Sequence, residues 1–453
     1  MATAAQGLDE AARLVALIDS DDPYVAGHNE LIERQLTAAD EVFQDQVGKI
    51  KLLANRAEEG GVSRIASLRD LVPLLFAHTA YKSYPESWLM EGKWDRLGKW
   101  LDTVSTNRVE PMDTSEVKGL DEWLAMLETH GHFVSCSSGT TGKCAMMNAA
   151  QVDLDFCGKG LLRMIEWNGL APNNDRRMIS LGQVAASPRN RATGTPMVMA
   201  FSPPDFPPFA PDVPPITIGS ITEMVVLRKR IGEGTAQPSE IALYDAQAAV
   251  REASMASAVE QAVEALIANR GHKLHIMGML GPLYQVAKML RDRGFSGKDF
   301  QENTTFFSGG LKRVALPDDY KEFIFETLNI SQARALQSYG MQELSTNAPR
   351  CSAGRYHLPP WLLLLLLDES GENLIEPCFD GEVEGRAAFF DLSMQGRWGG
   401  VISGDKIRAT WATCECGRSS PSIADDIQRY ADLAGGDKIA CSGTIDAYVR
   451  GVT

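Results

Sequence analysis

Between residues 245 and 337 the sequence alternates helical with extended patterns, and this alternation limits the possible fold more than any other feature. An alanine-rich amphipathic helix over 245–270 ends at Gly271, the residue type expected just past a helix C-terminus. An extended run at 274–277, a turn at 278–281 and a helix over 284–293 follow. The pattern repeats with a strand at 305–307, the turn Ser308-Gly309-Gly310, a helix over 320–328 and a strand at 333–337. Strands joined through helices pair in parallel, so the expectation is an α/β protein with a doubly wound sheet. Ligands of such sheets sit at the carboxyl ends of the strands, where these Gly-rich turns fall.

The flanking segments have other textures. Apolar residues at helical spacing over 8–57, among them Leu31, Leu36, Phe43 and Leu53, predict two or three helices. The stretch 68–100 is rich in aromatics (Phe76, Tyr81, Tyr84, Trp88, Trp94, Trp100), which at this density read as a packing seam. A helix over 120–127, a short strand at Phe133-Val134, a helix over 153–167 and strands at 178–181 and 221–227 complete the first half. Seven prolines between residues 200 and 215 exclude a helix interior or central strand there and leave an extended excursion, read as a long loop, with a lid or an oligomer arm as the alternatives. Beyond Cys351, extended runs at 361–367 and 385–392 with few helical signals indicate an appended antiparallel β subdomain.

A net charge of −15 argues against a nucleic-acid backbone as partner. The longest apolar run, 361–367, is far short of a membrane span of about 20 residues, and the N-terminus lacks a signal-peptide pattern. The cytoplasm is therefore the expected location, with neither nucleic acid nor membrane as partner. Eight cysteines in such a chain read as free thiols or metal ligands.

The chemistry centres on Ser137-Ser138-Gly139-Thr140-Thr141-Gly142-Lys143. Two glycines let the backbone approach a phosphate, hydroxyls and amides supply donors, and Lys143 adds a mobile positive charge. The spacing differs from the G-x-x-x-x-G-K-[ST] loop, and an ordinary Ser/Thr/Gly surface turn is the competing reading. Three further stretches follow in order: Gly309-Gly310 in a strand-end turn, Tyr339-Gly340-Met341-Gln342-Glu343 after a predicted strand, and Ser403-Gly404-Asp405.

Together and in this order these stretches resemble the adenylate-forming (acyl-CoA synthetase) superfamily. Cys414-x-Cys416-Gly417-Arg418, the segment 278–290 and the strand before Asp368 are similar to the phenylacetate-CoA ligase branch. The resemblance covers the loop and most of 273–452, is weak over 1–130, and is absent from about 164 to 268. It implies a large α/β domain and ATP-dependent activation of a carboxylic acid to an acyl-adenylate. The acyl group then passes to coenzyme A, with a carrier-protein thiol or an amine as alternative acceptors. It also implies the division 1–130 helical segment, 131–350 adenylating core, 351–440 β subdomain and 441–453 hinge region. A homodimer is a further expectation.

The resemblance also assigns roles. Ser137 to Lys143 would hold the β- and γ-phosphates, with Lys143 offsetting charge as pyrophosphate leaves. Tyr339 would stack on adenine beside Gly309 and Gly310, with Gly340, Met341 and Gln342 completing that turn. Glu343 would hold Mg²⁺, and Asp405 would accept hydrogen bonds from both ribose hydroxyls. The acyl pocket is expected among the unassigned middle residues and those near Phe307 and Tyr339.

Departures from the family pattern are Cys144 where proline is usual, Gln342 where Thr or Ser is usual, and Cys441-Ser442-Gly443-Thr444-Ile445-Asp446 in place of a Gly-Arg-x-Asp hinge. The chain ends at Thr453, where the family continues into a small mobile domain carrying the adenylation lysine. Its absence implies slow adenylation, and leaves a non-catalytic nucleotide or acyl-adenylate binding module as an alternative reading. Cys351, His357, Cys414 and Cys416 offer three thiolates and one imidazole, enough for a closed structural Zn²⁺ site. Four unrelated residues are the other reading of that set.

Overall fold

The computed structural model describes residues 9–136, 144–182, 186–302, 304–308, 315–433 and 436–437. The chain forms two compact units: residues 1–160 with 340–453, and Leu161–Tyr339. The N-terminal run of the first unit is helical, as its periodicity predicts: α1 (Asp9–Ala16), α2 (His28–Gln46) and α3 (Lys51–Gly60). Strand β1 (Phe76–Ala77) interrupts the helices, and α4 (Trp94–Thr103) and α5 (Leu120–Thr129) follow. All six aromatics of the seam between 68 and 100 are buried, with Tyr84 packed edge-on against Trp100 at 5.0 Å. The strand expected at Phe133-Val134 instead runs as β2 (Ser135–Cys136), paired antiparallel with β3 (Met146–Met147). Phe133 still exchanges two backbone hydrogen bonds with Ala149 (3.1 and 3.0 Å), so the pairing begins where expected while strand geometry starts two residues later. Helix α6 (Gln151–Trp167) comes next.

The second unit is the α/β part. Strands β4 (Arg177–Ser180), β5 (Leu274–Met277), β6 (Thr305–Ser308) and β7 (Ala335–Tyr339) lie side by side in that order, all parallel. Between them come α7 (Pro188–Phe201), α8 (Ile218–Gly232), α9 (Pro238–Asn269), α10 (Leu280–Asp292) and α11 (Tyr320–Leu328). A core of Ile179, Leu266, Ile276, Leu283, Phe306 and Ile324 joins sheet to helices.

Three expectations are corrected in this unit. Residues 221–227 belong to helix α8 and not to a strand, because the Thr217 hydroxyl accepts from the Ser220 amide at 3.1 Å and starts a helix just upstream. Ile218, Thr222 and Val226 then recur every four residues on its buried side. Helix α9 begins at Pro238, earlier than 245, where Gln237 and Glu240 form a capping box around a proline in the first turn. It closes through Arg270 in right-handed conformation, and Gly271 does not adopt a left-handed φ. Helix α10 starts at Leu280, inside the stretch expected to be a turn.

The chain then returns to the first unit and builds an eight-stranded sheet. Its strands are β8 (Tyr356–His357), β9 (Leu362–Leu367), β10 (Leu374–Ile375), β11 (Val383–Asp391), β12 (Gly400–Thr410), β13 (Ser422–Ile423) and β14 (Gln428–Arg429), with β1 from the N-terminal run. The path is β10-β9-β11-β12-β13-β8, with β1 parallel and β14 antiparallel to β12. All six leucines of β9 are buried, which explains an unbroken apolar run in an antiparallel sheet: both faces of this strand are covered. No helix among the described residues is long and apolar enough to cross a membrane.

In the second unit His275 of β5 is fully buried, its Nδ1 2.8 Å from Thr305 Oγ1 and its ring stacked on Phe201 at 5.3 Å. Burial, helped by Arg176, pulls this imidazole down to about 3. The unfolded chain binds a proton near pH 6.5 while the folded chain resists it, so stability is full above about pH 6.5 and falls with pH toward about 3. The His275→Gln variant is expected to be less stable at neutral pH but to show a shallower acid slope over that window. Denaturant midpoints measured against pH check this; an unchanged slope would assign the acid sensitivity to other groups.

Candidate functional site

Arg397 and Asp153 fix the backbone around the candidate site in the first unit. Arg397 is buried, and its Nη1 donates to the Asn148 carbonyl at 2.7 Å while Nη2 donates to the carbonyls of Gln342 (3.1 Å) and Glu343 (3.0 Å). Asp153 faces it electrostatically and accepts from the amides of Ala150 (2.8 Å), Gln395 (2.7 Å) and Gly396 (2.8 Å). A Cβ on Gly396 would stand 2.4 Å from the Ala150 nitrogen, so only glycine permits this approach. Buried Asp391 holds the stretch just after Glu343, its Oδ2 accepting from the Ser345 and Thr346 amides at 3.0 and 3.1 Å.

Each sequence-predicted residue can now be placed. Ser137, Ser138, Gly139, Thr140, Thr141, Gly142 and Lys143 lie outside the described residues, as do Gly309 and Gly310. Immediately after the loop, the Cys144 carbonyl accepts a 2.8 Å hydrogen bond from buried Tyr84. Tyr339 ends β7 in the second unit and is half-buried. Gly340, Met341, Gln342 and Glu343 belong to the first unit, where a side chain on Gly340 would collide with Asn347 Oδ1 at 2.1 Å. Asp405 is buried on β12, its amide bonded to Ser403 Oγ at 3.1 Å and its carboxylate 3.6 Å from Arg429 Nε on β14.

Between Glu343 and the Ser403-Gly404-Asp405 stretch sits a residue that sequence reasoning missed, His78. It follows β1, and its amide bonds to the Ile402 carbonyl at 2.9 Å, extending the parallel β1–β12 pairing. The ring lies against Gly404, where an added Cβ would be 3.4 Å from Cε1, and Nε2 is 3.9 Å from Asp437 Oδ2. Its Nδ1 is buried without a hydrogen-bond partner among the described residues. Burial pulls the imidazole below its ordinary value, while Glu343 and Asp437 pull it upward. Asp437 in turn pairs at 2.9 Å with fully buried Arg386, which also donates to the Ser403 carbonyl at 3.1 Å and lies 3.9 Å from the Tyr430 ring centre. Nothing in the local sequence around His78, Arg386 or Asp437 signals this cluster, which depends on strand pairing between residues far apart in the chain.

The second cluster is Cys351, His357, Cys414 and Cys416, whose ligand atoms all lie within 4.8 Å of one another. The two cysteine turns are built alike. The Cys351 amide bonds to the Arg355 carbonyl at 2.8 Å and the Gly354 amide to the Cys351 carbonyl at 3.0 Å; Cys414, Arg418 and Gly417 repeat this at 2.9 and 2.9 Å. Gly354 and Gly417 both adopt left-handed φ, +82° and +90°. His357 comes from β8, where it pairs with Ser422 of β13. Its Nε2 faces Cys416 Sγ at 3.3 Å and its Nδ1 meets Ser420 Oγ at 3.0 Å. The Cys351 and Cys414 sulfurs are 3.9 Å apart, close to the ~3.8 Å edge of a tetrahedron with metal–sulfur bonds of ~2.3 Å. Burial opposes ionisation of Cys351, but hydrogen bonds from His357 and the adjoining backbone bring it down to about 6. Burial and the neighbouring Cys414 and Cys351 push Cys416 up to about 12.

No family profile and no curated protein sequence matches the chain. Solved structures do. An open conformation of 2-hydroxyisobutyryl-CoA ligase in complex with 2-HIB-AMP and CoA matches 92% of this chain and 74% of its own, at 13% identity and a TM-score of 0.53. The chain shares the fold of this ligase. The same ligase in the postadenylation state with R3-HIB-AMP matches 95% of this chain and 75% of its own, at 13% identity and a TM-score of 0.53. The expected α/β organisation with a further, largely antiparallel sheet is present in the chain, and the likeness to this ligase extends over both.

Replacing Arg397 by Met would leave the buried Asn148 carbonyl and the partly buried Gln342 and Glu343 carbonyls without this donor, and Asp153 without its counter-charge. We expect a loss of about 3 kcal/mol or more in denaturant unfolding. A loss under about 1 kcal/mol would mean that water substitutes for the guanidinium.

Proposed function

We propose that the protein activates a carboxylic acid with ATP, forming an acyl-adenylate and pyrophosphate, and then transfers the acyl group to coenzyme A. The observation that carries this reading is the fold it has in common with a ligase solved in complex with an acyl-AMP and CoA. The convergence of Glu343 and the Ser403-Gly404-Asp405 stretch on His78 supports it. Residues 131–350 would perform the adenylation and residues 351–440 would supply the ribose-side carboxylate, in a cytoplasmic enzyme.

In this reading Ser137 to Lys143 bind the β- and γ-phosphates, Tyr339 stacks on adenine beside Gly309 and Gly310, and Asp405 accepts from the ribose hydroxyls. Asp405 is held rigidly for that task by its strand and by the Ser403 hydroxyl. Glu343 offers a half-buried carboxylate suited to Mg²⁺, which when bound offsets phosphate charge. The Arg397 contacts to the Gln342 and Glu343 carbonyls fix the backbone that carries this carboxylate.

The four-residue cluster supports a structural Zn²⁺. Cys351, His357, Cys414 and Cys416 match a tetrahedral donor set in kind and spacing, and Ser420 orients the imidazole through its second nitrogen. The same cysteines carry the likeness to the phenylacetate-CoA ligase branch.

Two measurements test these assignments. Acid-dependent exchange between ATP and pyrophosphate is expected for the wild-type chain and is expected to fall at least tenfold in Asp405→Asn and in Glu343→Gln; no exchange with any acid, together with no Mg-ATP binding, would overturn the adenylating reading. Metal analysis of protein purified without added metal should find about one zinc per chain, reduced in Cys414→Ser along with the melting temperature. A clearly substoichiometric content in the wild type would remove the zinc assignment.

A further inference from the structure

The second unit contains an open cavity of about 400 Å³ whose floor is formed by Met178 and Ser180 of β4 and Met277 of β5. Ser180 and Met277 are the last residues of their strands, so the cavity opens at the carboxyl edge of the parallel sheet. Helix α7 supplies one wall through Val198 and Met199, with Arg191 and Thr195 exposed at the rim on the same helical face. The opposite wall is Phe209 with its neighbours in the proline-rich excursion, and this segment is not a loose loop. The Phe209 amide bonds to the Met178 carbonyl at 2.9 Å and its carbonyl accepts from the Ser180 amide at 2.9 Å, fastening the excursion to β4 like an extra strand.

The lining decides what can bind. The Ser180 hydroxyl is already donated to the Gly182 carbonyl at 3.0 Å, so the floor and both walls present carbon and sulfur. Three of its lining residues, Met178, Met199 and Met277, are methionines, whose unbranched thioethers adapt to different apolar shapes. A cavity of this size and character fits an uncharged hydrocarbon group, and a short hydroxy acid or a dicarboxylic acid would leave its apolar walls unfilled or bury a charge against them.

Position adds a second constraint. Strands β4 to β7 lie about 4.8 Å apart, so Tyr339, at the carboxyl end of β7, stands two to three strand spacings, roughly 10–14 Å, along the same edge from the cavity. That separation suits one molecule with a base at one end and an acyl group at the other.

We propose that this cavity receives the acyl part of the substrate and selects an uncharged, apolar acid of medium chain length. The inference rests on the adenylating reading for its chemistry, but the cavity can be tested without ATP. Calorimetric titration of the full chain with butanoate, hexanoate, octanoate and decanoate is expected to show affinity rising about fourfold per methylene, the equivalent of about 0.8 kcal/mol. 2-Hydroxyisobutyrate and succinate should bind at least tenfold more weakly than decanoate. Val198→Phe narrows the cavity and Met199→Trp, at a highly exposed position, blocks its mouth without burdening the core. Each should weaken decanoate at least tenfold while leaving Mg-ATP affinity unchanged.

A flat chain-length series, a preference for succinate or 2-hydroxyisobutyrate, or wild-type decanoate affinity in both variants would overturn the proposal. Decanoate binding that follows these expectations in a chain without Mg-ATP binding or exchange would uphold the cavity and remove the adenylating reading instead. Exchange restricted to short or dicarboxylic acids would do the reverse.

Discussion

The first unit depends on a guanidinium that, among the described residues, is held by backbone carbonyls and makes no direct ion pair. Arg397 reaches the carbonyl after β3 and the two carbonyls of the turn that carries Glu343, while Asp153 gathers the amides of the segment on which Arg397 stands. Charge taken out of water is costly unless hydrogen bonds replace the lost solvation. Here the two charges do so reciprocally, one satisfying acceptors and the other donors of irregular chain. Three stretches that have no regular structure of their own thereby acquire fixed positions, and the carboxylate at residue 343 inherits that rigidity.

What the sequence revealed followed from whether the cause was local. The strand at 274–277 and the helix at 320–328 appear with the expected bounds because period and punctuation agree there. Residues 221–227 were misread because a cluster of Ile, Val and Leu suits either period, and the deciding cap lies upstream at Thr217 and Ser220. The cysteine cluster was legible because each half is compact in sequence. His78, Arg386 and Asp437 were not, since they meet only when β1 pairs with β12, which joins Phe76 to Val401. The cavity was equally hidden: prolines announced an irregular segment, but nothing local announced that Phe209 would fasten to β4.

The two units are different kinds of scaffold. The parallel sheet offers an edge, with Tyr339 at one place and an apolar hollow at another. The antiparallel sheet offers long paired strands, and Asp405 is positioned by the register of β12 against β11 and β14. There fully buried Arg386 makes contact with a carbonyl of the same strand that carries Asp405.

The twin cysteine turns bear on the order of folding. Each turn closes within five residues and can form early, but the four ligand atoms assemble only when β8 has found β13, which brings His357 opposite Ser422 across a long intervening chain. A nascent chain that has made only Cys351 and His357 therefore presents half a coordination shell, and the other half arrives after β9, β11 and β12 have been synthesised. Capture of an ion at that point would reward the correct sheet and none of its register-shifted competitors, since a slip of one residue turns the imidazole to the opposite face. In the zinc-bound form proposed above, the cluster would act as a latch on the strand order that also sets the position of Asp405.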